Sequence, residues 1–443
     1  MDRRAFLGTS LALPLAGAAT GELAVSQKNE QKDNAPAREN PYIRHCRDVA
    51  LNILKPTEKQ LQHGLALHAE SLVFDVYGFS PRAAVDGDVL KAAVEAGASE
   101  IELQDLNEDM SMTRCISDPA EREEFLQAWE AAGVTCIFQN AGEEGQAPLR
   151  LMKRLARFTY LTDMLRDHVS KAVLPDDIIE AKKQQRHCLY LTGNGVPLVQ
   201  DWLSVADELR YLRVFFQLGI RMMHLTYQRR NTIGDGAAET ANAGLSDFGR
   251  AVVAEMNRLG IIVDVAHSGW QTSLEGAKES KKPMVASHTT CAGLHKHIRS
   301  KPDEVIRAIA DTGGLVGICC IPQFLGGKGD IAAFLDHIEY VAKRFGTQHV
   351  AIGTDIAYTS RNAEAENKKV PPRPKSRTRW EALWPPETFV TTPEARDSLA
   401  WTNWPLFTVG LVQRGFSDDD IQKILGGNML RVARDVLKST LSR

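Results

Sequence analysis

Residues 244–268 read GLSDFGRAVVAEMNRLGIIVDVAHS, and two structural periods meet inside that stretch. Phe248, Val252, Val253, Met256 and Leu259 recur at helical spacing, with Ser246 placed as an N-cap and Gly260 as a stop. The run 261–267 that follows is short, apolar and β-branched, as a strand buried on both faces is. A helix feeding such a strand is the unit of a parallel sheet. The strand closes on His267, a polar group at the end where parallel barrels keep their chemistry.

The alternation extends outward in both directions. Runs at 71–75, 135–139, 188–192, 221–226, 261–267, 284–288, 314–320 and 350–355 make eight candidate strands separated by helical segments. Eight such units argue for an α/β fold, a (β/α)8 TIM-type barrel with insertions. Two stretches exceed a minimal barrel: 83–114, which holds a candidate extra strand at 100–103, and 356–403. The second carries a basic, proline-rich run at 368–377, expected as a solvated, partly extended loop.

Composition sets the limits around this core. With 443 residues, 43% hydrophobic and 25% charged, the chain can bury a large interior. A net charge of -3 gives no field that would draw it to nucleic acid or an acidic membrane surface, so a small-molecule substrate is favoured. Seven cysteines, with no CxxC pair, read as scattered core thiols, one oxidised pair being admissible.

The N-terminus reads Asp2-Arg3-Arg4-Ala5-Phe6-Leu7, then an apolar run at 11–19 containing Ala16-Gly17-Ala18. This order resembles a twin-arginine export signal, which implies the twin-arginine export machinery as a partner and a periplasmic or extracellular destination. The apolar run is far shorter than the roughly 20 residues a membrane span needs, and none later reaches that length. The organisation expected is a signal peptide at 1–18, a polar linker at 19–45 and a single barrel at 46–443.

Three polar residues end apolar runs: His267, His288 and Asp355. Two imidazoles and a carboxylate at one barrel mouth are donors suited to Zn²⁺, and three protein ligands leave room for water. Water on such a cation ionises near neutral pH, which points to metal-dependent hydrolysis.

The stretch 244–268, with Ser287-His288-Thr289-Thr290, Arg299, Pro302-Asp303, Gly353-Thr354-Asp355 and Gly426-Gly427-Asn428, resembles the signature of the renal, or membrane, dipeptidase family. The resemblance runs from about Leu72 to the C-terminus and is clearest after Gly219. It implies a (β/α)8 barrel of the amidohydrolase-like group, with two zinc ions bridged by a glutamate and a water, acting on dipeptides or related amide and lactam bonds. By that resemblance His267 and His288 bind one zinc, Arg299 holds substrate and Asp355 is the catalytic aspartate.

The remaining family positions depart. The first-strand His-x-Asp falls on Tyr77-Gly78-Phe79, the bridging glutamate on Asn194 and a substrate-contacting histidine on Tyr227. The expectation is therefore one zinc per chain, with a second admitted if other ligands rebuild the pair, and Tyr227 and Asn194 shaping the substrate pocket. Asp75, His224, Glu143 and Glu144 lie near strand ends but read as structural or solvated groups rather than substitute ligands. The functional expectation is a metallodipeptidase-type hydrolase of a dipeptide or related small amide, a homodimer being compatible. The alternative is an altered or inactive member serving as a periplasmic binding or maturation factor; a different reaction on the remaining ligands ranks last.

Overall fold

The computed structural model describes residues 40–441, apart from 143, 374–378, 387, 388 and 390. The expected signal at 1–18 and most of the expected linker lie outside the described residues. The linker's last residues do not fit that reading. The helix Pro41–Leu54 begins inside it, with Asn40 as N-cap accepting from the Tyr42 and Ile43 amides and proline at its first position.

Eight parallel strands form a nearly closed barrel: β1 Phe74–Gly78, β2 Cys136–Asn140, β3 His187–Gly193, β4 Met222–His224, β5 Ile262–Asp264, β6 Val285–Cys291, β7 Leu315–Ile318 and β8 Val350–Ile352. Each coincides with one of the eight apolar runs. Two short strands were not expected: Val169–Ala172 pairs with β3, and Ser300–Lys301 pairs with β6. The helix Asp247–Leu259 forms with Ser246 accepting from the Gly249 amide and Gly260 in the left-handed conformation at φ 85°.

The candidate strand at 100–103 is instead the first turn of the helix Glu100–Ser117. Ser99 and Glu102 form a reciprocal capping box that satisfies two amides, and this local signal outweighs the short apolar alternation.

Residues alternate between two cores along the strands, except in β1, where the consecutive Val76 and Tyr77 join the same cluster at the register shift. Phe74, Phe138, Tyr190, Met222, Ile262, Val285, Leu315 and Ala351 join one cluster with Met429, Val432 and Val436 of the helix Asn428–Leu441. Their neighbours Val73, Ile137, Leu189, Met223, Val263, Val316 and Ile352 pack in the larger cluster that includes the surrounding helices. The alternation thus sets which strand-end residues share the barrel interior.

Among the described residues no backbone ladder joins β1 to β8; a side chain links them instead. Asp75 Oδ1 accepts from the Thr354 amide at 2.9 Å, and Oδ2 accepts from the Thr354 hydroxyl at 2.6 Å and from Trp401 Nε1 at 3.1 Å. The Asp355 amide then donates to Tyr77 O at 3.0 Å. Asp75 is thus structural, as expected.

Two irregularities shape the mouth. The β1–β2 register shifts between Asp75 and Gly78, and the β6–β7 register shifts between Ala286 and Thr289. The second bulge drives the Ser287 carbonyl inward against Gly317 and Gly353, where a Cβ on either glycine would overlap it. That displacement carries His288 into the interior.

Candidate metal centre at the barrel mouth

Alternation puts His224 and Asp264 on the inward face, two residues beyond Met222 and Ile262. His288 arrives by the β6 bulge. Just beyond β5, the turn that carries His267 is held by Asp264 Oδ1, which accepts from the Ala266 amide at 2.9 Å and from the Ser287 amide at 3.1 Å. His224, Asp264 and His288 are fully buried, and His267 is 4% exposed.

The imidazoles of His267 and His288 meet edge-on, with 2.9 Å between their Nε2 atoms. His267 Nδ1 lies 3.0 Å from Gln228 Oε1, an acceptor, so the proton belongs on Nδ1 and Nε2 keeps its lone pair. His288 Nδ1 pairs with the Ser287 hydroxyl at 2.8 Å. Burial, and next the Arg299 cation, hold both histidines well below their usual pKa, so they stay neutral as metal ligation requires. Orienting the far ring nitrogen is how proteins aim a ligating histidine.

Around this pair the substituted positions are filled, not vacant. Tyr77 stacks on His288 with 3.8 Å between ring centroids, and its hydroxyl donates to Asn194 Oδ1. Tyr227 stacks on His267 at 4.1 Å and accepts from Trp384 Nε1 at 3.1 Å. Trp384 belongs to the insertion at 356–403, which therefore reaches the mouth through an aromatic side chain. Residues 374–378 of its basic run lie outside the described residues.

Arg299 is 1% exposed and spends one nitrogen, Nη2, on the His288 carbonyl at 2.8 Å. Its Nε and Nη1 have no hydrogen-bond partner. A buried guanidinium with two unused donors is built to meet an anion. Asp355 sits partly exposed with φ 58°, a left-handed conformation costly for a non-glycine residue. Burial pushes its carboxyl up to about 6, and the Arg299 charge restrains the rise.

The structure thus brings His267, His288 and Arg299 together, flanked by Tyr227 and, through Tyr77, Asn194. Glu144 is an ion-pair partner of Arg150 at 3.0 Å, and Glu143 lies outside the described residues. His224 was expected to be structural or solvated, and it is buried against Asp264. Its Nε2 is 2.8 Å from Asp264 Oδ2, inside a group with His288 whose ligand atoms all lie within 4.8 Å of one another. Sequence reasoning missed Asp264 altogether, although its parity with Ile262 was a usable signal.

These residues fit one cation and not the family's pair. At the second site a phenol and an amide are hydrogen-bonded to each other, and neither brings the negative charge that holds two cations together. At the first, His267 and His288 present neutral imidazoles to one space, beside buried nitrogen and oxygen atoms without hydrogen-bond partners.

Known proteins show similarity over most of the chain. The chain is 30% identical over 239 residues to dipeptidase aclJ of Aspergillus oryzae, covering 53% of this chain and 49% of that protein. It is 25% identical over 281 residues to dipeptidase tcpJ of Claviceps purpurea, covering 62% and 57%. The match spans about half the length of these curated relatives. Among solved structures, an amidohydrolase from Pseudomonas aeruginosa superposes with a TM-score of 0.63 at 28% identity, over 85% of this chain and 99% of that one. The probable dipeptidase PvdM of Pseudomonas aeruginosa shares the fold, with a TM-score of 0.61 at 18% identity over 86% and 99%. Residues 100–369 match the family model described as membrane dipeptidase, peptidase family M19, and with more than half of its length matched, this chain belongs to that family.

Proposed function

We propose that this protein is a metal-dependent hydrolase that cleaves a dipeptide or a related small amide, with a single zinc ion at His267 and His288. The observation that carries the reading is the neutral histidine pair, Nε2 to Nε2, beside the buried, half-used Arg299. A divalent cation bound there supplies Lewis acidity and a more acidic water near neutral pH.

The chain's own residues do the rest. Arg299 Nε and Nη1 receive the substrate carboxylate, replacing lost hydration with charge-assisted hydrogen bonds. Asp355, with a pKa of about 6, accepts the proton of the attacking water and passes it to the leaving amine nitrogen. Tyr227 and Asn194 shape the pocket, and the Tyr227 hydroxyl is a donor available to a developing oxyanion.

The competing reading, a binding or maturation factor, draws on the Tyr77–Asn194 hydrogen bond that occupies the second site. Turnover separates the two. Purified protein assayed on dipeptides with added Zn²⁺, Mn²⁺ or Co²⁺ is expected to show metal-dependent hydrolysis, lost together with bound metal in the His267→Ala/His288→Ala variant. Absence of hydrolysis with every metal overturns the hydrolase reading.

Export through the twin-arginine machinery is proposed from residues 2–18 alone, and N-terminal sequencing of periplasmic protein tests it. Among the described residues no helix is long and apolar enough to cross a membrane. A homodimer is compatible with the reading, and no residue given a role above needs a second copy.

A further inference from the structure

We propose that this chain has rebuilt a mononuclear metal site deeper in the barrel, where His224, Asp264 and His288 hold a first-row divalent cation and His267 stands as a fourth donor. The proposal rests on the reading that a cation belongs beside His288, but it does not rest on hydrolysis.

The atoms without partners carry the argument. His224 is fully buried, its Nδ1 makes no hydrogen bond, and its Nε2 has Asp264 Oδ2 as its near neighbour. Asp264 spends Oδ1 on two backbone amides while Oδ2 makes none. Nε2 of His224 and Oδ2 of Asp264 lie 2.8 Å apart, so a nitrogen and an oxygen able to ligate a cation are already side by side. Leaving buried polar atoms unsatisfied destabilises the fold, and coordination removes that cost.

Geometry and charge agree. With zinc–nitrogen bonds of about 2.1 Å, a tetrahedral site separates its ligand atoms by roughly 3.4 Å. The His224–Asp264 and His267–His288 separations of 2.8 and 2.9 Å lie about half an ångström below that value. The ligand atoms of His224, Asp264 and His288 all lie within 4.8 Å of one another, and His267 joins them through its contact with His288. Three imidazoles and one carboxylate, with no thiolate, suit zinc and its first-row neighbours rather than calcium or magnesium. One carboxylate also leaves the metal's second charge uncompensated, which favours an anionic substrate or hydroxide nearby.

A metal-free arrangement competes with this: a protonated His224 paired to Asp264 in place of a cation. Elemental analysis and X-ray absorption at the metal edge, on full-length wild-type protein loaded with Zn²⁺, decide between them without any variant. Expected are one ion per chain and a scattering pattern of three imidazoles. No more than two imidazoles, or no bound ion, overturns the proposal.

Cobalt binding to chelator-treated protein supplies a second measurement. His224→Gln is expected to weaken Co²⁺ affinity at least tenfold and to change the visible d–d bands; an unchanged spectrum and affinity count against the site. The two proposals fail separately. Hydrolysis with only two imidazoles on the metal sinks this inference and spares the hydrolase, whereas three imidazoles without hydrolysis does the reverse.

Discussion

The ring of Tyr77 lies 3.8 Å from the ring of His288, nearly parallel at 18°. That stack covers the face of His288, a proposed metal ligand, with a phenol where the family resemblance places a first-strand histidine. The Tyr77 hydroxyl is bonded to Asn194, the residue in place of the bridging glutamate. Two substitutions more than a hundred residues apart are thus one structural event: each neutral group satisfies the other, and no buried charge remains without a cation.

If that pairing replaces the second metal site, restoring the charges should restore the metal. The triple variant Tyr77→His/Phe79→Asp/Asn194→Glu is expected to raise bound zinc by about one ion per chain, measured by elemental analysis. Its thermal stability should also become strongly metal-dependent, because the two introduced carboxylates would lack a counter-charge without the cation. Unchanged stoichiometry would mean that the backbone at the first strand, and not side-chain identity, excludes the second ion.

Arg299→Met keeps the length of the side chain and removes its charge. It loses one hydrogen bond to the His288 carbonyl but also two buried donors without partners, so stability is expected to change by no more than about 1–2 kcal/mol. The KM for dipeptides bearing a free carboxylate should rise on the order of 10- to 100-fold, with a smaller effect on carboxyl-amidated substrates. Equal losses on both would remove Arg299 from carboxylate recognition.

Asp75 closes the seam between β1 and β8, and burial pushes its carboxyl up to about 7, hydrogen bonds from Thr354 and Trp401 offsetting only part of the rise. A carboxyl raised above its unfolded value contributes stability that is full below about pH 4 and is lost as pH climbs through 7. Asparagine does not titrate. The stability advantage of wild type over Asp75→Asn should therefore shrink between pH 4 and pH 8, by at most about 4 kcal/mol, in denaturant titrations of metal-free protein. A constant gap would show that Asp75 is charged throughout.

Gly353→Ala places a methyl where the Ser287 carbonyl now sits, so the β6 bulge must retreat. The expected outcome is weaker metal binding together with a loss of roughly 1–3 kcal/mol in stability. Retained affinity in a folded variant would detach the bulge from His288 positioning.

All seven cysteines are buried and unpaired. A thiol reagent should count seven free thiols in unfolded protein and few or none in native protein. Fewer than seven after unfolding would indicate the oxidised pair that the sequence alone admitted.

Much of this was legible in the chain read as a string. Parallel strands buried on both faces must be short apolar runs, and all eight were visible; Ser246 and Gly260 marked a helix because capping is a local contact. The strand expected at 100–103 failed for the same reason: Ser99 and Glu102 already held the local signal of a helix start. His267 and His288 could be named from their positions at the ends of runs. His224 and Asp264 could not be paired, since 40 residues separate them and only strand alternation within a nearly closed barrel brings both inward. Nor could Gly317 and Gly353 be understood until the Ser287 carbonyl was seen against them. Sequence by itself determined the barrel, the family and the two strand-end histidines proposed as metal ligands, because periodicity and caps act between near neighbours. Tertiary structure decided which further donors gather beside them, because that depends on atoms from different strands meeting within a few ångströms.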